Sequence, residues 1–473
     1  MALVLGVDSS TQSTKVEIRD ADTGVLVGSG RSAHPETSPP CSEQDPEAWR
    51  EALVEARRQA GRTPGVVALA IAAQQHGLVA LDREGRVIRP AKLWNDTESA
   101  PDAQWLVDQL GGPEAWVKAC GSAPVASFTI SKLSWLHRTE PEKFDRLARV
   151  LLPHDWLTFR MSGRFTTDRG DASGTGYWSP AEGRWRPDLL DVVDDTKDWD
   201  ACLPEVLGPM ETVRKRDGAV IAPGTGDNMA AALGVALQPG QVAISIGTSG
   251  TVYTVSNAPV TDPKGYVAGF ADATGRFLPL VCTLNAMRVI DTFARLLQVD
   301  LRTFDRLALA GEPGAGGLVL LPYLDGERTP NLPGASGTIA GLRPDVTLEQ
   351  IARAAVEGVV CGMLDALEAL RVGGVTVRPA DGTLLLGGGA RLRSVQRVLA
   401  DLTRCSIVVP RGEPVATGAC VQAAAVLHQE APSEVATVWE LGTGQAIEPD
   451  LGVDTRLVRG AYADLRDRYY ATS

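Results

Sequence analysis

The chain has 473 residues, of which 44% are hydrophobic and 22% charged, a balance that excludes a disordered, fibrous or membrane-embedded protein. Its 46 Lys and Arg against 58 Asp and Glu leave a net charge of -12 with no basic run, which argues against nucleic acid or an anionic membrane as partner. The seven cysteines form no CxxC pair and the five histidines no HExxH, so neither a disulfide framework nor a zinc hydrolase is expected. The opening residues to Asp8 carry no basic stretch and no long uncharged apolar run, so a cytoplasmic protein is expected.

The first elements read as a β-meander. Leu3–Val7 is a short apolar run, Lys15–Arg19 alternates, and Gly24–Gly28 follows a turn. Gly28-Ser29-Gly30-Arg31-Ser32-Ala33 matches the dinucleotide pattern GxGxxA, but prolines follow it instead of a helix, so it is set aside. Pro46–Ala60 reads as a helix entered from Asp45, Val66–Ala73 as an apolar strand, and Leu78–Leu81 as its return. Strands mixed with helices define an α/β protein. At Gln241 the pattern starts again. Val242–Ile246 is a strand, Gly247-Thr248-Ser249-Gly250 a polar turn, and Thr251–Val255 the returning strand. This repeats the plan of Leu3–Ile18 and predicts two related lobes.

Further on, Thr347 and Gln350 form a capping box for a helix over Leu348–Arg371. Strand Thr383–Leu386, the glycines 387–389, helix Ser394–Thr403, strand Ile407–Val409 and helix Thr417–His428 follow. The tail ends in an amphipathic helix with Tyr462, Leu465 and Tyr469. The expected division is 1–238, 239–430 and a C-terminal tail, 431–473, packed on the lobes.

Two Gly/Ser/Thr-tipped hairpins, one per lobe, suit a phosphate clamp, because turn N–H groups, hydroxyls and Lys15 all donate to anions. Either hairpin alone is equally a plain β-turn. Asp8, at the end of the first strand, would repel phosphates unless it held Mg²⁺, directly or through water. The turn after Leu386 permits close backbone approach to a flat base or sugar, or simply close packing. Asp227, in Pro223-Gly224-Thr225-Gly226-Asp227-Asn228, reads either as a helix N-cap or as a carboxylate base for phosphoryl transfer. Gln75 and His76 end an apolar strand, where α/β sites tend to lie. Trp94-Asn95-Asp96 has the composition of a polyol site, or of a core Trp with a turn behind it. GxxxxGK[ST] and HRD motifs are absent, which excludes P-loop and protein-kinase patterns.

Together these segments resemble the FGGY family of carbohydrate kinases. The resemblance is carried by Asp8–Lys15, Ser42–Pro46, Gln74–Gly77, Leu93–Asp96, Leu151–Leu157, Gly224–Asn228, Ser245–Gly250, Leu321–Pro330 and Leu386–Arg391. It implies two actin-like (ribonuclease H-like) ATPase lobes with the active site, holding ATP and Mg²⁺, in the cleft between them. It places the catalytic base on Asp227 and the first-strand acid on Asp8, with Gln75, His76, Trp94 and Asn228 at the sugar. Thr11, Lys15, Gly247 and Thr248 fall on phosphate positions, and Gly388 and Gly389 on the adenosine side. The implied reaction is phosphorylation of D-xylulose at its 5-hydroxyl. Other ketoses or polyols (ribulose, an alditol, glycerol) are the alternatives, and a non-enzymatic actin-like ATP-binding protein is a more remote one. A homodimer is left open. Two positions depart from the family pattern, Gln75 where Met is usual and Glu98 where Arg is usual.

Overall fold

Residues 2–61, 65–214 and 218–470 are described by a computed structural model. Strand β1 (Leu3–Ser9) is buried along its whole length. It pairs antiparallel with β2 (Ser13–Asp20), which pairs with β3 (Leu26–Ala33), so the meander forms as expected, its third strand later and longer than Gly24–Gly28. Helix α1 (Pro46–Gln59) starts on Asp45, whose side chain accepts from the Glu47 N–H. It packs on β3, and this explains the discarded glycine pattern. A Cβ on Gly28 would come within 2.2 Å of Ala60 O, and one on Gly30 within 2.0 Å of Ala56 O.

Strand β4 (Val66–Ala73) runs parallel to β1 with Asp8 opposite Ala72. The expected return strand is a correction. Val79–Leu81 pairs antiparallel with Arg149–Leu151 in a separate two-stranded sheet, not with β4. The reason is local: His76 has φ +67°, a left-handed conformation that turns the chain out of the sheet. Helix α2 (Pro153–Ser162) follows Arg149–Leu151 directly. The two-residue strand β5 (Thr225–Gly226) pairs parallel with the end of β4, Thr225 opposite Ala72 and Gly226 opposite Ala73. It delivers the chain into helix α3 (Asp227–Gly234).

The second sheet repeats this plan. Strand β6 (Val242–Ile246) pairs antiparallel with β7 (Gly250–Thr254), and β7 with β8 (Phe277–Thr283). Helix α4 (Leu348–Val372) carries the predicted Thr347/Gln350 capping box. Strand β9 (Thr383–Leu386) lies parallel to β6 on its other side, followed by helix α5 (Arg393–Thr403) and strand β10 (Ile407–Pro410), parallel to β9. In both sheets, therefore, an antiparallel meander is extended from its first strand by parallel strands.

The chain then returns. Helix α6 (Pro414–His428) packs on β1, β4 and α3. Three glycines allow this. A Cβ on Gly418 would lie 1.9 Å from Ala230 O, one on Gly234 1.9 Å from Pro414 O, and one on Gly6 2.2 Å from Ala416 O. By contacts the first unit is Met1–Ala236, Asn257–Leu278 and Gly412–Leu441, and the second is Leu237–Ser256, Pro279–Arg411 and Gly442–Ser473. By this contact division both units are discontinuous, and α6 belongs to the first because it packs on that unit's sheet. In the second unit β11 (Gly444–Ile447) pairs with β10, and helix α7 (Thr455–Tyr469) buries Val458, Tyr462 and Leu465 while Tyr469 stays exposed. Among the described residues no helix is long and apolar enough to cross a membrane.

Candidate active site

In the first unit the ends of β1, β4 and β5 bring Asp8, Gln75, His76 and Asp227 to one edge of the sheet. Asp227 is the first residue of α3, and the cap position itself is Gly226. The N-cap alternative therefore does not apply. A Cβ on Gly226 would meet the Gln75 side chain at 2.5 Å, so the glycine lets the two segments close up. Asn228 Nδ2 donates to Asp227 Oδ1 (3.0 Å) and to Gln75 Oε1 (3.0 Å). Asp227 keeps a partly exposed face although protein surrounds it. Burial, then the carboxylates of Asp8 and Asp171, push it up to about 7, against the Asn228 N–H that holds it down. A carboxylate poised there can take a proton near neutral pH.

Asp8 is buried, accepts from the Ser10 hydroxyl, and lies 3.5 Å from Lys15 Nζ. Lys15 divides its charge, because Glu413 is nearer at 2.7 Å. Burial raises the Asp8 carboxyl despite Lys15. Thr11 accepts from Trp94 Nε1 (2.8 Å) and donates to Gln74 Oε1 (3.1 Å), which ties the first hairpin to the Gln74 and Trp94 segments. Trp94 is 37% exposed, whereas Trp116, Trp135, Trp156, Trp178 and Trp199 are buried core residues.

His76 is held on every side. Its Nδ1 faces Gly174 O at 2.7 Å, which puts the proton on Nδ1 and makes Nε2 the acceptor of the neutral ring. The ring stacks on Phe128 at 4.9 Å and tilts against Phe270 at 5.7 Å. Its carbonyl accepts from Thr129 Oγ1 (3.2 Å) and Lys132 Nζ (3.1 Å). Burial pushes the Lys132 ammonium down to about 7.

Asp96 is structural. It accepts from the Ser42 N–H and from the buried Lys92 ammonium. Lys92 also reaches Glu43 (3.1 Å) and Glu98 (2.5 Å). Cys41, Glu43, Asp96 and Glu98 are the one group among the described residues with metal-ligand proximity, and Lys92 already supplies the cation to three of them. The unusual Glu98 is thus neutralised locally.

In the second unit Gly247 and the exposed Thr248 form the β6–β7 tip. The three glycines after β9 differ. Gly387 needs its φ of +81°, Gly388 is open with nothing within 4 Å of a Cβ, and Gly389 lies against Ile246, where a Cβ would come within 2.4 Å. Gly389 is therefore a packing glycine, and Gly388 is the one with free approach.

The residue-by-residue sequence reading missed a buried group beside this site: His154, Asp155, Asp168 and Asp171. Its only local signal is His-Asp at the start of a helix behind an apolar strand.

Residues 3–234 match the N-terminal domain of the FGGY family of carbohydrate kinases, and residues 242–427 match its C-terminal domain. The chain belongs to this family, and it is a sugar kinase. It is 46% identical over 457 residues to the xylulose kinase of Streptomyces rubiginosus, covering 94% of this chain and 92% of that one. It is 34% identical to the xylulose kinase of Escherichia coli K12, covering 85% of each. The crystal structure of xylulose kinase from Bifidobacterium adolescentis superposes with a TM-score of 0.86 at 40% identity, covering 98% of this chain and 99% of that one.

Proposed function

We propose that this kinase transfers the γ-phosphoryl group of ATP to the 5-hydroxyl of D-xylulose, with Asp227 as the base. Asp227, a partly exposed carboxylate raised to about 7 and joined through Asn228 to Gln75, is the observation that carries the chemistry. The choice of sugar rests on the likeness to xylulose kinases. Asp227 accepts the O5 proton as the O5–P bond forms and the bond from the γ-phosphorus to the bridging oxygen breaks, releasing ADP. Asp227 then returns the proton to water. Asn228 fixes the carboxylate's orientation through Oδ1. Gln75, His76 and Trp94 are assigned to the sugar.

Asp8 fits Mg²⁺. It offers hard carboxylate oxygens, and the shared Lys15 leaves the Asp8, Glu413 and Asp227 carboxylates short of positive charge. When bound there, Mg²⁺ supplies neutralisation of phosphate charge. Thr11 and Lys15 on the first unit, and Gly247, Thr248 and the open Gly388 on the second, are assigned to the nucleotide, with Gly389 supporting through packing. All seven cysteines are unpaired, the state that a cytoplasmic location maintains.

A coupled ADP-release assay over D-xylulose, ribulose, an alditol and glycerol tests the reaction. The highest kcat/KM is expected on D-xylulose, with little ADP released without sugar. A higher value on another acceptor overturns the choice of sugar, and sugar-independent turnover overturns the kinase reading. Trp94→Ala is expected to raise the KM for D-xylulose about tenfold with a smaller change in kcat, because losing the apolar area an aromatic face buries against a ligand costs roughly 1–2 kcal/mol. Steady-state kinetics at saturating ATP checks this, and an unchanged KM removes Trp94 from the sugar site.

A further inference from the structure

The first unit buries a cluster of ionisable groups that the chemistry above leaves unused. His154, the second residue of α2, is 1% exposed. Its Nδ1 lies 2.7 Å from Asp171 Oδ2, and its Nε2 lies 3.1 Å from Asp155 Oδ1 and 3.8 Å from Asp168 Oδ1. A neutral imidazole carries one N–H and one lone pair. With the surrounding carboxyls ionised, either tautomer would turn a lone pair toward a carboxylate oxygen, whereas the imidazolium presents an N–H to each side, Nδ1 bonded to Asp171 and Nε2 facing Asp155 without a formed hydrogen bond. Burial acts against that charge, but the Asp155, Asp171 and Asp168 carboxylates outweigh it and push the ring well above its ordinary range.

The cluster adjoins the segments that carry Gln75, His76 and Asp227. Asp168 accepts from the Thr225 hydroxyl at 2.8 Å, two residues before Asp227. The His154 ring abuts Gly224, where a Cβ would come within 2.8 Å of Cδ2. Asp171 stands three residues before Gly174, whose carbonyl faces His76, and the Gln75 amide lies near the Asp171 carboxyl, with Gln75 Nε2 and Asp171 Oδ1 both buried and without a formed hydrogen bond. From Gln75 the chain of contacts runs through Asn228 to Asp227.

We propose that His154 is a permanent buried imidazolium and a positioning residue for the kinase reaction: its cation offsets the Asp171 charge that Asp227 faces and, through Gln75 and Asn228, keeps Asp227 oriented and in its proton-accepting form. This rests on Asp227 being the base. Asp227 is faced by Asp8, balanced by Lys15 with Glu413 beyond, and by Asp171, balanced by His154 with Asp155 and Asp168 around it. Tyr177, buried beside Asp155 and Asp171, stays neutral. Loss of the His154 cation leaves the Asp171 charge uncompensated and makes Asp227 harder to ionise. Loss of the Asp171 charge makes it easier.

The test is kcat for D-xylulose against pH at saturating MgATP for wild type, His154→Gln and Asp171→Asn, together with ¹⁵N NMR of the histidine-labelled wild-type enzyme. Wild type is expected to lose activity on the acid side as Asp227 takes a proton. His154→Gln is expected to move that limb up by about one pH unit, and Asp171→Asn to move it down, opposite shifts that a merely structural role does not produce. One of the five histidines is expected to keep both ring nitrogens protonated at pH 8. Unmoved limbs, limbs moving the same way, or no histidine doubly protonated at pH 8 overturn the proposal. If His154→Gln does not fold, the Asp171→Asn limb and the NMR still decide. A wild type with no acid limb, or an active Asp227→Asn enzyme, overturns the base instead and leaves the NMR result standing.

Discussion

Asp227→Asn is expected to lose about three orders of magnitude in kcat while keeping its fold and most of its affinity for the sugar. The substitution preserves shape and the contact from Asn228 but removes the carboxylate proposed to take the O5 proton. General-base catalysis is worth roughly 10²- to 10⁴-fold, and a thousandfold loss corresponds to about 4 kcal/mol of barrier. Stability is not expected to fall. Asp227 is raised by burial and by two like charges, so its ionised form is held in the folded protein at a cost. Below its unfolded pKa, near 3.8, the raised native pKa costs nothing. Between that value and about 7 the cost grows, and above about 7 it is fully present, so the Asn variant should gain stability over wild type as pH rises through that window. ADP release at pH 8 together with thermal melts at pH 5 and pH 8 checks both parts. Turnover within tenfold of wild type would remove Asp227 from the chemistry.

Gly418→Ala is expected to destabilise the protein, against the ordinary trend for a helix. Within a helix interior, Gly to Ala normally gains about 1 kcal/mol. Here the added methyl would sit 1.9 Å from Ala230 O and 3.0 Å from Gly234 N, on backbone that cannot rotate away. Helices α6 and α3 must separate, and overpacking of this kind costs about 1–3 kcal/mol or more. Steric cost exceeds propensity, so a net loss of about 2 kcal/mol is expected. Because α3 begins at Asp227, kcat should fall as well. Gly362→Ala, inside α4, is the matched control: the nearest atom to its Cβ is Tyr462 Oη at 3.9 Å, so the propensity gain should appear unopposed. Denaturant unfolding of both variants measures the pair. A Gly418→Ala variant as stable as Gly362→Ala would mean that the α3–α6 approach relaxes without cost.

Much of this protein is written locally. The β1–β2 and β6–β7 hairpins, Asp45 as the cap of α1 and the Thr347/Gln350 capping box each depend on residues within a few positions of one another. Periodicity and turn chemistry therefore reveal them. Asp227 and the Gln75-His76 pair stood out for the same reason, as polar residues abruptly ending apolar or glycine-rich runs.

What the amino-acid order could not convey is partnership across the chain. Leu78–Leu81 has the pattern of a strand, but its partner, Arg149–Leu151, is set by the left-handed turn at His76. Gly388 and Gly389 are indistinguishable in sequence, yet one is open and the other is pressed on Ile246. Glu98 stands where the family usually has Arg, and only the structure shows the buried Lys92 paired with it. His154 looks like one more isolated histidine until three aspartates converge on it from two segments. Sequence by itself determined the two repeated lobes, the acidic balance and the polar residues that end the strands, because short-range sterics and hydrophobic period act between neighbours. Only the tertiary structure decided which charges are paired, which glycines bear packing and which imidazole carries a proton, because those depend on burial and on distances of about 3 Å between residues far apart in the chain.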